Sequence, residues 1–218
     1  MQAVIVGIDL SLMSTGLCVL REQPYVDCRQ APPQIEVHRL QAHGNTEREK
    51  LGSLYSHLWE AFNHLQRIDA IVIEDVLYTK FKQTSRKMIM AHGVLKAVMG
   101  RQGIITPLLY VHPTTLKRLV LGYAGRGSTK TDIIGVMNKL ITAELQHDQA
   151  DATALAYIGL GVGVGNLTMA EQKYSQIRCD VIEDQVFKQF GLSLAGVAAE
   201  RKERARDSRR KYRTREAL

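Results

Sequence analysis

The sequence predicts an α/β fold: a mixed five-stranded sheet with helices on both faces. Three observations predict it. The chain opens with three short apolar or alternating runs, two buried-strand runs follow later, and stretches of helical periodicity separate and follow that later pair. Ala3 to Ile8 is the first apolar run and Thr15 to Leu20 the second, while Ile35 to Leu40 alternates as a half-buried strand does. These three are expected to form an antiparallel meander. From Glu47 to Leu65, the residues Leu51, Leu54, Tyr55, Leu58, Phe62 and Leu65 recur at helical spacing, and Ala70 to Ile73 is then a β-branched, fully apolar strand. A crossover into a buried strand is implied. Thr84 to Met99 carries Met88, Ala91, Leu95 and Val98 on one helix face, and a strand over Ile104 to Val111 contains Pro107, which marks an edge. His112-Pro113 starts a short helix. After the glycine-rich loop Gly122 to Gly127, Ser128 to Lys130 opens a helix with Ile133, Ile134, Met137 and Leu140 on its apolar side. Asp148 to Leu160 is the last core helix.

Length and composition allow one main domain, since 218 residues with 45% apolar content suffice for one sizeable core. The boundary falls at the glycine-rich Gly159 to Gly165, where the hydrophobic run stops. This gives a folded domain over residues 1–164 and a helix-prone, basic C-terminal extension over 165–218. A net charge of +7 and a pI near 9.4 point to acidic partners, nucleic acid before a membrane surface. From Glu200 onward there are nine Lys or Arg against four Asp or Glu, so +5 of the charge is terminal. That stretch is either a solvated tail or an electrostatic arm on phosphates. No run of membrane-spanning length is present. Met1 to Val6 enters a strand without a basic segment or cleavage site, so a cytoplasmic protein is expected. Cys18, Cys28 and Cys179 have no C-x-x-C spacing and are expected to be reduced thiols.

Four acidic residues carry the chemistry. Asp9 ends the first strand, Glu74 ends the fourth, and Asp148 and Asp151 stand i, i+3 at the start of the last helix. A lone Asp after a strand is usually a turn residue or a cap, and a lone Glu at a strand end is often only solvated. Their concurrence is the signal, because the first and fourth strands are expected to be neighbours with their acids at the same end. Four carboxylates so arranged are what two hard divalent cations need, and the chain reads as a metal-dependent phosphodiester enzyme. Acids at the ends of adjacent central strands make the arrangement ribonuclease H-like.

The segments Gly7-Ile8-Asp9-Leu10-Ser11-Leu12-Met13-Ser14-Thr15-Gly16, Ile73-Glu74-Asp75-Val76 and Gln149-Ala150-Asp151-Ala152 resemble RuvC-type Holliday junction resolvases in order and spacing over roughly residues 1–164. The resemblance implies that Asp9, Glu74, Asp148 and Asp151 are metal-binding catalytic carboxylates. Lys117 and Lys130 match basic positions near the scissile phosphate. Leu77 or Tyr78 falls where the family has an aromatic wedge, and Tyr78 either stacks on an unpaired base or packs in the core. Lys80, Lys82, Arg86, Lys87 and Arg126 join them as candidate DNA contacts. Plain surface lysines remain the alternative for Lys117 and Lys130. His147, beside Asp148, is read as a cap or solvated residue and not as a ligand. Leu10-Ser11 replaces the family's usual Pro-Gly, the loop at Gly122 is longer, and residues beyond 165 have no counterpart; such divergence resembles viral or mobile-element members.

What the resemblance implies in function is a structure-selective DNA endonuclease using Mg²⁺, or Mn²⁺ as a substitute. It resolves four-way junctions by paired symmetric nicks, leaving 5′ phosphate and 3′ hydroxyl ends. Two ions roughly 4 Å apart would activate water and stabilise the leaving oxygen, with Asp9 as the bridging ligand. Symmetric cutting asks for a homodimer, and the Thr84 to Met99 helix is either its interface or ordinary core. Branch migration proteins are further candidate partners. Rival readings are a broader nuclease for flaps, forks or RNA–DNA hybrids, an actin-like ATP-binding kinase, and an idle junction-binding module. The kinase needs a second duplicated domain that this length does not hold. The idle module would keep four mutually repelling acids without reason. If the basic terminus is an electrostatic arm, removing residues 200–218 weakens DNA binding and flattens its dependence on salt. Titrating binding against salt tests this, and an unchanged slope would reduce the segment to a solubility device.

Overall fold

The computed structural model describes residues 3–23, 25–26, 29–30, 32–76, 82–121 and 129–162. Their order is β1 (Val4–Asp9), β2 (Ser14–Arg21), β3 (Tyr25–Val26), β4 (Arg29–Gln30), β5 (Gln34–Gln41), α1 (Glu47–Asn63), β6 (Ala70–Glu74), α2 (Lys82–Arg101), β7 (Leu108–Val111), α3 (Pro113–Leu121), α4 (Lys130–Ile141) and α5 (His147–Val162). The main sheet runs β5-β2-β1-β6-β7. β1 and β5 pair with β2 antiparallel, whereas β6 pairs parallel with both β1 and β7. The expected meander and the adjacency of the first and fourth long strands are both present.

Period-two alternation assigns each strand residue to a face. Val6, Ile8, Leu17, Val19, Ile71 and Ile73 face α1 and α2, packing on Leu54, Leu58, Phe62, Ala91, Leu95 and Val98. Ile5, Cys18, Leu20, Ala70, Val72, Leu109 and Val111 face the other way, onto α3, α4 and α5. Two sealed layers on one sheet explain the wholly apolar central strands. Burial pushes the Cys18 thiol up to about 12, with a hydrogen bond to Thr153 opposing the shift, so it stays a neutral packing group. Cys28 and Cys179 lie outside the described residues.

Local signals set the helix starts. Thr46 caps α1, accepting from the Glu49 backbone N–H at 3.2 Å, while Glu49 reaches back to Thr46 N at 3.0 Å. Thr129 and Asp132 form the same reciprocal pair at α4. At α5 the Gln149 side chain accepts from Gln146 N at 3.0 Å, half of such a box.

The structure corrects three boundaries and adds one element. The predicted strand over Ile104 to Val111 is regular only from Leu108; Pro107 precedes it, its carbonyl accepting from Ile71 N at 2.9 Å. A proline has no N–H to donate, so pairing begins after it; β7 is an edge strand as expected. Helix α2 extends two residues past each predicted end, and α5 runs from His147 to Val162. The β3–β4 hairpin has strands of two residues each, too short for a periodic pattern to register. The extension over 165–218 and the loop Gly122 to Gly127 lie outside the described residues. Among the described residues, no helix is long and apolar enough to cross a membrane.

Helix α5 lies against the sheet at backbone contact. A Cβ on Gly7 would stand 2.1 Å from the Ala152 carbonyl oxygen, and one on Gly16 would stand 1.8 Å from that of Asp148. On the helix side, a Cβ on Gly159 would meet Ile5 and Val72 side chains at 2.6 Å. Gly7→Ala is therefore expected to destabilise the fold by about 3 kcal/mol or more, because rigid backbone cannot yield as a side-chain tip can. Urea unfolding measures it, and a loss well below 1 kcal/mol would show that α5 can lift off the sheet.

Candidate active site

Asp9 and Glu74 are the last residues of β1 and β6. Parallel pairing matches Ile8 with Ile73, so the two acids follow side by side at the C-terminal end of the sheet. Alternation turns both toward the face covered by α5. Asp75, one residue on, falls on the opposite face with Ile71 and Ile73 and is an electrostatic neighbour of His92. Position in the pleat, rather than acidity, distinguishes Glu74 from Asp75.

The helix α5 supplies the other pair. Asp148 lies in its first turn and Asp151 one turn later, on the side that meets the sheet. The register opposes Gly16 to Asp9, and it is Gly16 that receives the Asp148 backbone. The contact carries Asp148 to the strand end where Asp9 stands. Asp9 is 9% exposed and Asp151 6%, while Glu74 and Asp148 are half-buried. A negative side chain in the first turn of α5 also suits the helix dipole, worth typically 0.3–1 kcal/mol.

The β1–β2 turn shows what Leu10-Ser11 does in place of Pro-Gly. Leu10 and Leu12 are buried, and Thr15 Oγ1 donates to the Ser11 carbonyl at 2.7 Å while accepting from Ser11 N at 3.1 Å. Ser11 Oγ accepts from Met13 N and Ser14 N at 3.2 and 3.4 Å. Apolar anchors and side-chain hydrogen bonds close the turn that Pro-Gly chemistry otherwise makes. Ser14, so placed, donates its hydroxyl to Asp148 Oδ2 at 2.5 Å and accepts from Arg39 Nε at 2.8 Å; Arg39 Nε is 3.6 Å from the same carboxylate oxygen.

Among the described residues, no three carboxylate, imidazole or thiol groups are gathered closely enough to chelate a metal ion. The four acids share one end of the sheet without closing into a cage, and Asp148 is turned to Ser14 and Arg39. Their chemistry still fits a hard divalent cation: all are oxygen donors, converging from two strands and one helix.

The remaining sequence-predicted residues divide by position. Lys117 is half-buried in α3, and Lys130 is the first residue of α4, its side chain outside the described residues. Arg86 and Lys87 are exposed in α2, where Arg86 pairs with Glu47 at 3.3 Å. Lys82 begins α2, its side chain also outside the described residues. Leu77, Tyr78, Lys80 and Arg126 lie outside them altogether. His147 is the exposed first residue of α5. Helices α2 and α3 start just beyond the C-terminal ends of β6 and β7, and α5 starts over Gly16. Their positive dipole ends therefore all open at the acidic end.

Sequence reasoning missed Ser14 and Arg39. The one sequence cue for Arg39 is that it ends the apolar stripe Ile35, Val37 on its face of β5, which by itself names no partner. Ser14 had none, because its partners depend on the turn and on helix placement.

Behind Glu74, His92 is buried with its ring stacked on Tyr110 at 6.2 Å and 10°, and its Nε2 has no hydrogen-bond partner among the described residues. Burial foremost, then the Lys96 ammonium, holds its pKa below the ordinary value, against the pull of Asp75. The unfolded chain takes up a proton near pH 6.5 while folded His92 takes one up only at lower pH, so stability falls as pH drops through that value. Urea unfolding at about pH 8 and about pH 5.5 should show the parent losing more stability than His92→Phe. Equal losses would place His92 outside this linkage.

A family model described as "Crossover junction endodeoxyribonuclease RuvC" matches residues 5–158. A crossover junction endodeoxyribonuclease RuvC of Protochlamydia amoebophila is 28% identical over 161 residues, covering 71% of this chain and 89% of that protein. Among solved structures, Thermus thermophilus RuvC superposes with TM-score 0.55 at 18% identity over 70% of this chain and 90% of that one. The same protein in complex with a Holliday junction substrate gives 0.54 at 18% identity, over 71% and 90%. At such identity the structures establish the fold, a ribonuclease H-like mixed sheet.

Proposed function

The chain belongs to the RuvC family of crossover junction endodeoxyribonucleases, and from that premise we propose that it resolves four-way DNA junctions by paired symmetric nicks, using Mg²⁺ or Mn²⁺. Family membership makes it a junction-resolving nuclease dependent on a divalent metal. The observation that carries the finer reading is the register that sets Asp9 beside Glu74 beneath the α5 turn bearing Asp148 and Asp151. These four residues would hold the metal. When bound, it lowers the pKa of the attacking water and stabilises charge on the leaving 3′ oxygen, so that 5′ phosphate and 3′ hydroxyl ends result.

The chain's own residues supply the rest. Lys117 and Lys130 meet the phosphate as point charges, Lys130 at a helix start where backbone N–H groups also favour an anion. Arg86 and Lys87, exposed near the start of α2, would contact the DNA backbone, as would Lys80, Lys82 and Arg126. Leu77 and Tyr78, three and four residues after Glu74 in the chain, provide the wedge against an unpaired base. Two such sites act on opposite strands in a homodimer.

Cleavage of a labelled mobile junction beside duplex, fork, flap and RNA–DNA hybrid, with Mg²⁺ or with chelator, tests the proposal. Ligatable paired nicks confined to the junction are expected. Equal cutting of forks or flaps would move the function to a broader branched-DNA nuclease. Asp9→Asn should cut at least as poorly as loss of an outer-shell partner allows, by roughly 10–100-fold or more, while still binding the junction in a gel shift. Normal cleavage by that variant would exclude Asp9 from the metal site.

A further inference from the structure

Arg39 ends the apolar stripe of β5 and reaches a carboxylate through one serine. We infer that Ser14 and Arg39 form a directional relay that positions Asp148 to hold a divalent cation through a single oxygen. This rests on the reading of Asp148 as a metal ligand.

The direction of the relay follows from hydrogen-bond inventory. A guanidinium has donors only, so Arg39 Nε–H donates to Ser14 Oγ, 2.8 Å away. The serine's own proton is then committed to its other partner, Asp148 Oδ2, at 2.5 Å. That separation is in the range of a charge-assisted bond to an ionised carboxylate. Both contacts end on the same oxygen, since Arg39 Nε also lies 3.6 Å from Oδ2. Oδ1 carries neither contact and would be the oxygen that Asp148 offers to a cation.

The relay is anchored on strands. Ser14 opens β2 in register with Gln41, Arg39 stands opposite Gly16 in β5, and Ser11 Oγ accepts the Ser14 backbone N–H. The carboxylate it holds is on a half-buried first helical turn, where an untethered side chain would sample several rotamers and lose that freedom on binding metal. Fixing it beforehand lowers the cost of closing the site. Arg39 also brings one positive charge to an end of the sheet that carries four acids, easing their repulsion before any cation arrives. Both act through the Asp148 carboxylate, so both are positioning residues.

Mn²⁺ titration by calorimetry on the full chain without DNA tests this, with thermal unfolding of each metal-free variant as the check on folding. Ser14→Ala is expected to weaken Mn²⁺ binding roughly 10–100-fold, the range for outer-shell partners of metal ligands. Ser14→Thr, which keeps the hydroxyl, should restore binding toward the parent, an outcome that a purely structural role of Ser14 does not predict. Arg39→Met should weaken binding as Ser14→Ala does, and it decides the matter if Ser14→Ala does not fold. Asp148→Asn separates the two levels of inference. If it weakens binding while folded Ser14→Ala or Arg39→Met binds as the parent does, the relay is overturned and the ligand reading survives. If Asp148→Asn itself binds Mn²⁺ like the parent, both are overturned.

Discussion

Backbone contact between α5 and the two central antiparallel strands is the constraint on which the rest of this molecule depends. Helices usually ride on a sheet at side-chain distance, yet here Gly7 and Gly16 remove the intervening Cβ atoms and Gly159 does the same from the helix side. Buried Ala150, Ala152, Ala154 and Ala156 line the same helix with the smallest side chain that still favours helix. The gain is positional as well as energetic. A helix one side chain farther away would hold Asp148 and Asp151 several ångströms above the strand ends, beyond reach of a site shared with Asp9 and Glu74.

The sheet acts as a sorter of polarity. β1 and β6 are apolar on both faces along their length and become acidic only at the last residue, where the covering layers end and water can reach. Burial of a carboxylate deeper in the strand would require a partner or neutralisation. Strand ends are thus the one place where a group can be rigidly held and still hydrated. Helix starts at the same end add dipoles of the sign that tolerates acids and attracts phosphates.

Similarity to the Thermus thermophilus RuvC structures at 18% identity fits this view, because the fold needs a pattern of apolar positions more than particular residues. The β1–β2 turn is a local instance. Leu10 and Ser11 close it with a buried side chain and serine and threonine hydrogen bonds, a different chemistry from Pro-Gly for the same reversal. The substitution also leaves Ser14 beside Asp148, so a change in the turn reaches the acidic cluster.

The sequence by itself determined the sheet, its two covering layers and the four acids, because period-two runs, helical stripes and the residue at which each run turns acidic are local features. It also marked β7 as an edge through Pro107, though not that pairing waits until Leu108. Tertiary structure supplied the reason that Glu74 and not Asp75 shares the face of Asp9, since a strand's face is defined only by what packs on it. It alone joined Ser14, Arg39 and Asp148, which lie in three elements and meet through strand register and the crossing of α5. Those depend on contacts distant in sequence, and no pattern within a window can encode them.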